Sequence, residues 1–315
     1  MKTAAYIGWL GHNNIGDEAC YQVICDLVKD HYKLIPWDSG SWKYKKLPNL
    51  CIVGGGTILD IKFGRRERDL LLPMFEKNIP IIIWGSGIVD PPKNLDSRVL
   101  NILNNAKFVG VRGPISKSIL DSKGFLSSEI IGDPALLLST SKKNSTLSNK
   151  VSINIGYTRN NLYGTEKHVI KQTKKLIELL EAKNFEIELF SMWPKDEEIL
   201  KQLGKNRIRP WDPSIPNLMN FMKDCYCVVG MKLHSCVLSA AANVPFISLG
   251  YRNKCFDFAQ SINLEKWVFR TDAVWAKAVF NKLLTVEKYK HIIVKRIKKY
   301  KEHYIIKHKK LLDLI

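Results

Sequence analysis

The chain has 315 residues, 45% of them hydrophobic, which is enough for two domains with sizeable cores, and no apolar run approaches the ~20 residues that span a bilayer. Its formal charge is +19, which excludes an acidic solvating chain and favours an anionic partner. No aromatic-interleaved basic motif or nucleic-acid module accompanies that charge, so nucleic acid is not an expected partner.

The first residues, 1–9, are too short in their apolar part for a signal peptide, and residues 4–9 read as a buried strand. A Gly-rich loop, Gly11-His12-Asn13-Asn14-Ile15-Gly16, follows, then a helix from about Asp17 to Lys29 that Asp17 can cap. Four further strands are expected. Residues 50–53 end in Gly54-Gly55-Gly56, residues 80–84 in Gly85-Ser86-Gly87, residues 108–111 in Arg112-Gly113-Pro114, and residues 130–131 in Gly132-Asp133-Pro134. Strands spaced by helices imply a parallel sheet. Residues 139–150 are polar and read as a linker.

A second alternating block follows. Residues 151–157, 185–190, 225–229 and 244–249 read as strands, and 166–183 and 196–203 as helices. The expected fold class is α/β, with two Rossmann-like domains facing a cleft. Residues 1–140 form the first and 148–270 the second, with a basic helical segment over 271–315. In that segment Ile293, Ile297, Tyr300, Tyr304, Leu311 and Ile315 make one apolar stripe of a long helix. Eleven Lys or Arg against three acids between Lys282 and Ile315 contribute +8 of the net charge. The bland reading is a helix packed on the protein with its lysines in water. The alternative is peripheral contact with an anionic membrane surface.

The chemistry concentrates at strand ends. Lys232 and His234 stand two residues apart where a strand gives way to a helix, followed by the small residues Ala240-Ala241-Ala242. A helix N-terminus there favours an anion; Lys can hold negative charge and His can move a proton. Arg112 can aim a planar fork at carboxylate or phosphate, or pair with a nearby acid. Asp133, before a proline, reads as a turn or cap residue. Gly11, Asn14, Gly16, Gly55 and Gly56 can let backbone approach a ligand. Asp17 or Glu18 could accept a proton. No Cys or His pair has the spacing of a structural zinc site, so no metal is expected. The seven cysteines read as reduced thiols.

In order, Gly-x-x-Asn-x-Gly-Asp-Glu-Ala, Gly-Gly-Gly-Thr-Ile-Leu-Asp, Val-Arg-Gly-Pro-Ile-Ser, Gly-Asp-Pro-Ala-Leu-Leu-Leu and Met-Lys-Leu-His-Ser resemble the polysaccharide pyruvyl transferase family, from about Ile7 to Phe258. The resemblance implies a glycosyltransferase-B-like fold. It also implies transfer of the enolpyruvyl unit of phosphoenolpyruvate to a sugar diol, giving a pyruvate ketal and phosphate. Donor binding would map onto Arg112, Lys232, Leu233 and His234. The chemistry of the residues themselves makes His234 the acid and Asp17 or Glu18 a candidate base. The family usually has Arg where this chain has Lys232, and Lys offers charge without a bidentate fork. Beyond phosphoenolpyruvate as donor substrate no cofactor is expected. The expected partners are that donor and a sugar or lipid-linked oligosaccharide acceptor, and the expected location is cytoplasmic, peripheral at the inner membrane face if the basic helix binds there. The alternative function is a nucleotide-sugar glycosyltransferase, which shares the fold. A third reading is an inert protein holding an acidic polymer.

Overall fold

Twelve parallel strands build two six-stranded sheets in the computed structural model, which describes residues 1–43, 46–59, 67–88, 96–139, 148–159, 162–204 and 207–315. Most of the linker expected at 139–150 lies outside the described residues. The chain divides into two compact units. Met1–His12, Asp17–Leu137 and Glu302–Ile315 form the first, and Asn13–Gly16 and Leu138–Lys301 the second.

In the first unit the strands are β1 (Lys2–Ile7), β2 (Tyr32–Pro36), β3 (Leu50–Gly54), β4 (Ile81–Ser86), β5 (Phe108–Val111) and β6 (Glu129–Ile130). The helices are α1 (Ile15–Val28), α2 (Leu72–Glu76), α3 (Ser97–Asn104) and α4 (Pro114–Asp121). The sheet order is β2-β1-β3-β4-β5-β6. Every residue of β3 and β4 is buried, as expected of strands covered on both faces. Alternate side chains go to opposite faces. Ala5, Ile7, Val53 and Ile83 gather with Met74 of α2, Val99 of α3 and Leu120 of α4. Ala4, Tyr6, Ile52 and Trp84 gather with Ile24 and Val28 of α1 and with Leu311.

The expected cap at Asp17 is corrected. Helix α1 begins at Ile15, and the Asn14 side chain accepts from the Gly16 N–H at 3.2 Å. Asn14 therefore satisfies an otherwise orphan donor of the first turn. Asp17 lies within that turn, where a carboxylate is favoured by the helix dipole.

In the second unit the strands are β7 (Lys150–Asn154), β8 (Glu186–Phe190), β9 (Arg207–Arg209), β10 (Cys227–Gly230), β11 (Phe246–Gly250) and β12 (Val268–Arg270). The helices are α5 (Glu166–Glu181), α6 (Asp196–Leu200), α7 (Ile215–Lys223), α8 (Leu233–Ala241), α9 (Asn253–Ser261), α10 (Ala276–Leu284) and α11 (Val286–Leu312), of which the residues from Glu302 on belong to the first unit. The order is β12-β11-β10-β7-β8-β9. Helix α5 starts at Thr165, whose side chain accepts from the His168 N–H at 3.2 Å. Every residue of α8 is buried, because its small residues let it sit close on the sheet.

The apolar stripe of α11 is covered. Ile293 and Ile297 are buried in the second unit, Tyr304 and Leu311 in the first. Lys295, Arg296, Lys298 and Lys299 are exposed. Lys301 departs from the expected cationic face. Its ammonium donates to the Leu138 carbonyl and to Ala241 O at 3.2 Å, and burial lowers its pKa to about 8. Ala241 ends α8, so this cation sits at a helix C-terminus, where the dipole favours it. Among the described residues no helix is long and apolar enough to cross a membrane.

Candidate active site

In an open parallel sheet, ligands bind beyond the carboxyl ends of the strands where the strand order reverses. The order reverses between β1 and β3 in the first unit and between β7 and β10 in the second. The expected site residues fall at or near these edges.

At the edge of the first sheet, Gly55 and Gly56 have φ of +64° and +59°, a conformation that favours glycine. A Cβ on Gly56 would lie 2.7 Å from Oδ1 of Asp17, so the turn after β3 passes directly over that carboxylate. The Gly11 N–H donates to Glu18 at 3.0 Å and closes the first loop. That bond occupies one oxygen of the second candidate base.

Arg112, expected to aim its fork at a donor, is fully buried and held by partners within its own unit. Its Nε donates to Asp133 Oδ2 at 3.0 Å, its Nη1 to Thr57 Oγ1 at 3.2 Å, and its Nη2 to the Gly56 carbonyl. A guanidinium at 0% exposure persists only with such acceptors. The neighbouring acid of the alternative reading is Asp133. Its other oxygen accepts from the Ala135 N–H at 3.1 Å and the Cys20 thiol at 3.4 Å.

At the edge of the second sheet, Lys232 is the N-cap of α8 and Leu233 and His234 open the helix. The Lys232 ammonium lies 3.4 Å from Asp196 Oδ1 and donates to the Tyr157 carbonyl. Its backbone N–H donates to Asn154 Oδ1 at 3.1 Å, and Asn154 Nδ2 donates to Phe190 O at 2.9 Å. This buried amide therefore ties together the ends of β7, β8 and β10. His234 is 7% exposed. Gly16, which belongs to the same unit, lies against its ring, and a Cβ there would overlap the imidazole.

Asp196 organises this edge and was not singled out in the sequence. Its side chain is 0% exposed. It accepts from the N–H groups of Tyr157 (3.0 Å), Met192 (3.1 Å) and Trp193 (3.1 Å). Burial raises its pKa, opposed first by the Lys232 charge and then by these hydrogen bonds. Gly156 is required beside it, because a Cβ there would overlap the carboxylate. The available signal was an acid soon after a strand, at the start of a helix, in Trp193-Pro194-Lys195-Asp196. Burial lifts the thiol of Cys236, in α8, to about 12, which keeps it protonated. None of the seven cysteines is in a disulfide.

The polysaccharide pyruvyl transferase family model matches residues 14–253, a span that contains both sheet edges. The chain belongs to the polysaccharide pyruvyl transferase family. No curated protein matches it significantly.

Among solved structures, one assigned as a UDP-N-acetylglucosamine 2-epimerase from Listeria monocytogenes aligns with a TM-score of 0.61 at 12% identity. The alignment covers 94% of this chain and 90% of that one. The UDP-GlcNAc 2-epimerase of Methanocaldococcus jannaschii, in complex with UDP-GlcNAc and UDP, aligns at 0.59 and 11%, covering 91% and 92%. The glycotransferase of kitacinnamycin aligns at 0.56 and 10%, covering 99% and 97%. At these identities the likeness is one of fold, and the fold is glycosyltransferase-B-like.

Proposed function

We propose that this family member transfers the enolpyruvyl group of phosphoenolpyruvate to a sugar diol of a surface polysaccharide or its precursor. The observation that carries the reading is the placement of Lys232 and His234 on one helix N-terminus at the switch point of the second sheet. Phosphoenolpyruvate is a small dianionic or trianionic donor. A helix N-terminus with a fixed ammonium suits its phosphate or carboxylate.

The proposed chemistry balances without an external redox partner. His234 gives a proton to the methylene carbon of the donor, which makes C2 electrophilic. A sugar hydroxyl attacks C2 and gives its proton to the base, the C2–O bond to phosphate breaks, and a second hydroxyl closes the ketal, its proton leaving with the phosphate. An imidazole is suited to donate near neutrality. Asp17 remains the candidate base. Arg112 enters as the residue that holds the Gly56–Thr57 turn beside Asp17, since all three kinds of guanidinium nitrogen already have partners.

The deciding experiment is titration calorimetry with phosphoenolpyruvate, followed by an assay of phosphate release with candidate sugar acceptors. Binding and acceptor-dependent release are expected. The M. jannaschii fold neighbour is in complex with UDP-GlcNAc and UDP, and a nucleotide-sugar enzyme is the competing reading. Binding of UDP-sugars without any binding of phosphoenolpyruvate would replace the proposal with that reading.

A further inference from the structure

A groove of about 730 Å³ lies along helix α5 of the second unit, lined by neither Lys232 nor His234, and the proposed reaction has given it no part. That is the size of a ligand pocket. Four lysines line it, Lys167, Lys171, Lys174 and Lys175, against a single acid, Glu178. All four lysines are exposed. None is in a salt bridge among the described residues. They stand at i, i+4, i+7 and i+8 of one helix face, where like charges repel. A polyanion laid along that face relieves the repulsion.

The opposite wall is formed before any ligand arrives. His168 Nε2 donates to the Ala273 carbonyl at 2.8 Å. Gln172 Oε1 accepts from the N–H groups of Trp275 (3.1 Å) and Ala276 (3.0 Å). The backbone is thus pinned to α5 on both sides of Val274. That side chain lines the groove and is 78% exposed, so one fixed apolar contact is open among the four cations. Pre-organised surface binds at lower entropic cost than surface that must be assembled.

This combination selects among anions. The proposed reaction protonates the methylene carbon of the donor, so the ketal left on the glycan carries a methyl group and a carboxylate on one carbon. The carboxylate suits the ammonium groups, and the methyl suits Val274. A glycan bearing such ketals along its length is a polyanion of spaced charges, as the lysine row is a row of spaced cations. A bilayer meets protruding faces, whereas here the apolar contact lies in a concavity. Helix α5 follows β7 in the chain, and β7 lies beside β10, after which Lys232 comes. The groove therefore begins on the side of the unit where the ketal would be made.

We infer that the α5 groove is a product-binding site. It takes a glycan bearing pyruvate ketals, with Lys167, Lys171, Lys174 and Lys175 on the carboxylates and Val274 on a ketal methyl. It retains the modified chain while the next diol reaches the catalytic edge. The inference rests on the proposed pyruvyl transfer.

Biolayer interferometry on immobilised xanthan, whose side chains carry uronic acids and pyruvate ketals, tests the groove. The same polymer stripped of its ketals by mild acid keeps its uronic charges and serves as the comparison, and phosphatidylglycerol vesicles form a third arm. The wild type should bind the ketal-bearing polymer roughly 4-fold more tightly than the stripped one, the burial of one methyl group. Salt should weaken both. Lys171→Glu/Lys174→Glu should lower affinity by at least about 10-fold and leave phosphoenolpyruvate binding and phosphate release with a soluble acceptor unchanged. Val274→Ser, which keeps every charge, should bring the affinities for the two polymers together. His234→Ala should bind the polymer like the wild type, which separates the groove from product held at the catalytic edge.

Equal affinity of the wild type for the two polymers, unchanged affinity in Lys171→Glu/Lys174→Glu, or binding to the vesicles alone overturns the inference. Calorimetry of the same wild-type sample with phosphoenolpyruvate reports separately on the reaction. Ketal-dependent binding without donor binding refutes pyruvyl transfer and keeps a ketal-binding groove. Donor binding and acceptor-dependent phosphate release, with equal affinity for the two polymers, do the reverse.

Discussion

Gly16 lies so close to His234 that a Cβ on residue 16 would overlap the imidazole. The glycine is therefore set by the histidine. Its φ is not in the left-handed region, so the requirement is room and not backbone freedom. Gly16→Ala should displace the ring and lower turnover by at least about 10²-fold, while His234→Ala should cost ~10²–10⁴-fold. Both variants should keep their circular dichroism spectrum. Phosphate-release kinetics check this, and near-normal rates in His234→Ala would remove the imidazole from the mechanism.

Lys232 is tied to a buried acid, so its truncation has two consequences. Lys232→Ala removes a cation from the proposed donor position, worth roughly 1.5–3 kcal/mol of binding. It also leaves Asp196, already raised in pKa by burial, without its counter-ion. Breaking a buried pair in this way costs about 3–5 kcal/mol of stability. Asp196→Asn cannot relieve this, because both carboxylate oxygens accept backbone N–H groups and an amide NH2 would face one of them. Lys232→Ala should lower melting temperature and phosphoenolpyruvate affinity together. Lys232→Arg, which restores the usual family residue, should bind the donor at least as well as the wild type. Loss of activity in Lys232→Arg would mean that the lysine has a role of its own.

Arg112→Ala should be a folding variant before it is a binding variant. The guanidinium is fully enclosed and paired with Asp133 at 3.0 Å, so its removal leaves a buried carboxylate unpaired, at a cost of about 3–5 kcal/mol. A denaturant titration measures this directly. A variant of wild-type stability that has lost phosphoenolpyruvate binding would return Arg112 to the donor site.

His308 makes the stability of the first unit depend on pH. Trp84 Nε1 donates to His308 Nδ1 at 2.9 Å, and His308 Nε2 lies 2.9 Å from the Ile131 carbonyl. The ring therefore accepts at Nδ1 and donates at Nε2, which requires the neutral form. Burial lowers its pKa to about 4, against about 6.5 when unfolded. Between these values the unfolded chain binds the proton that the folded chain refuses, so stability falls as pH falls. The contribution is fully present above about pH 6.5 and is lost by about pH 4, to the extent of about 3 kcal/mol. His308→Gln should flatten that part of the curve of denaturation midpoint against pH.

The exposed cations of α11 predict weak, salt-sensitive binding to anionic vesicles and none to neutral ones. Each cation near such a surface adds about 1 kcal/mol, screened within a Debye length. Lys298→Glu/Lys299→Glu should abolish cosedimentation and spare turnover on soluble acceptors. Lys301→Glu should instead destabilise the fold, because that ammonium faces the Leu138 and Ala241 carbonyls. Absence of vesicle binding even at low salt would leave the charge as a solvated face.

Much of the fold was legible because interior strands of parallel sheets are covered on both faces and read as unbroken apolar runs. Strands β3, β4, β10 and β11 are such strands and were expected within a few residues of their positions. Edge strands β2, β9 and β12 were not expected, since β9 and β12 are only three residues long and β2 is interrupted by Lys33. The strand-end glycines and the Lys232-Leu233-His234 step were also plain in sequence, because turn chemistry and helix starts are local. What the sequence by itself determined was the α/β class, the family and the strand ends where chemistry collects. Only the tertiary structure decided which charge meets which partner. It paired Arg112 with Asp133 and Lys232 with Asp196 across 21 and 36 positions of sequence, turned Lys301 inward, and brought Tyr157 and Trp193 together. Such partners come from distant segments that the strand order places side by side, and local pattern carries no record of that order.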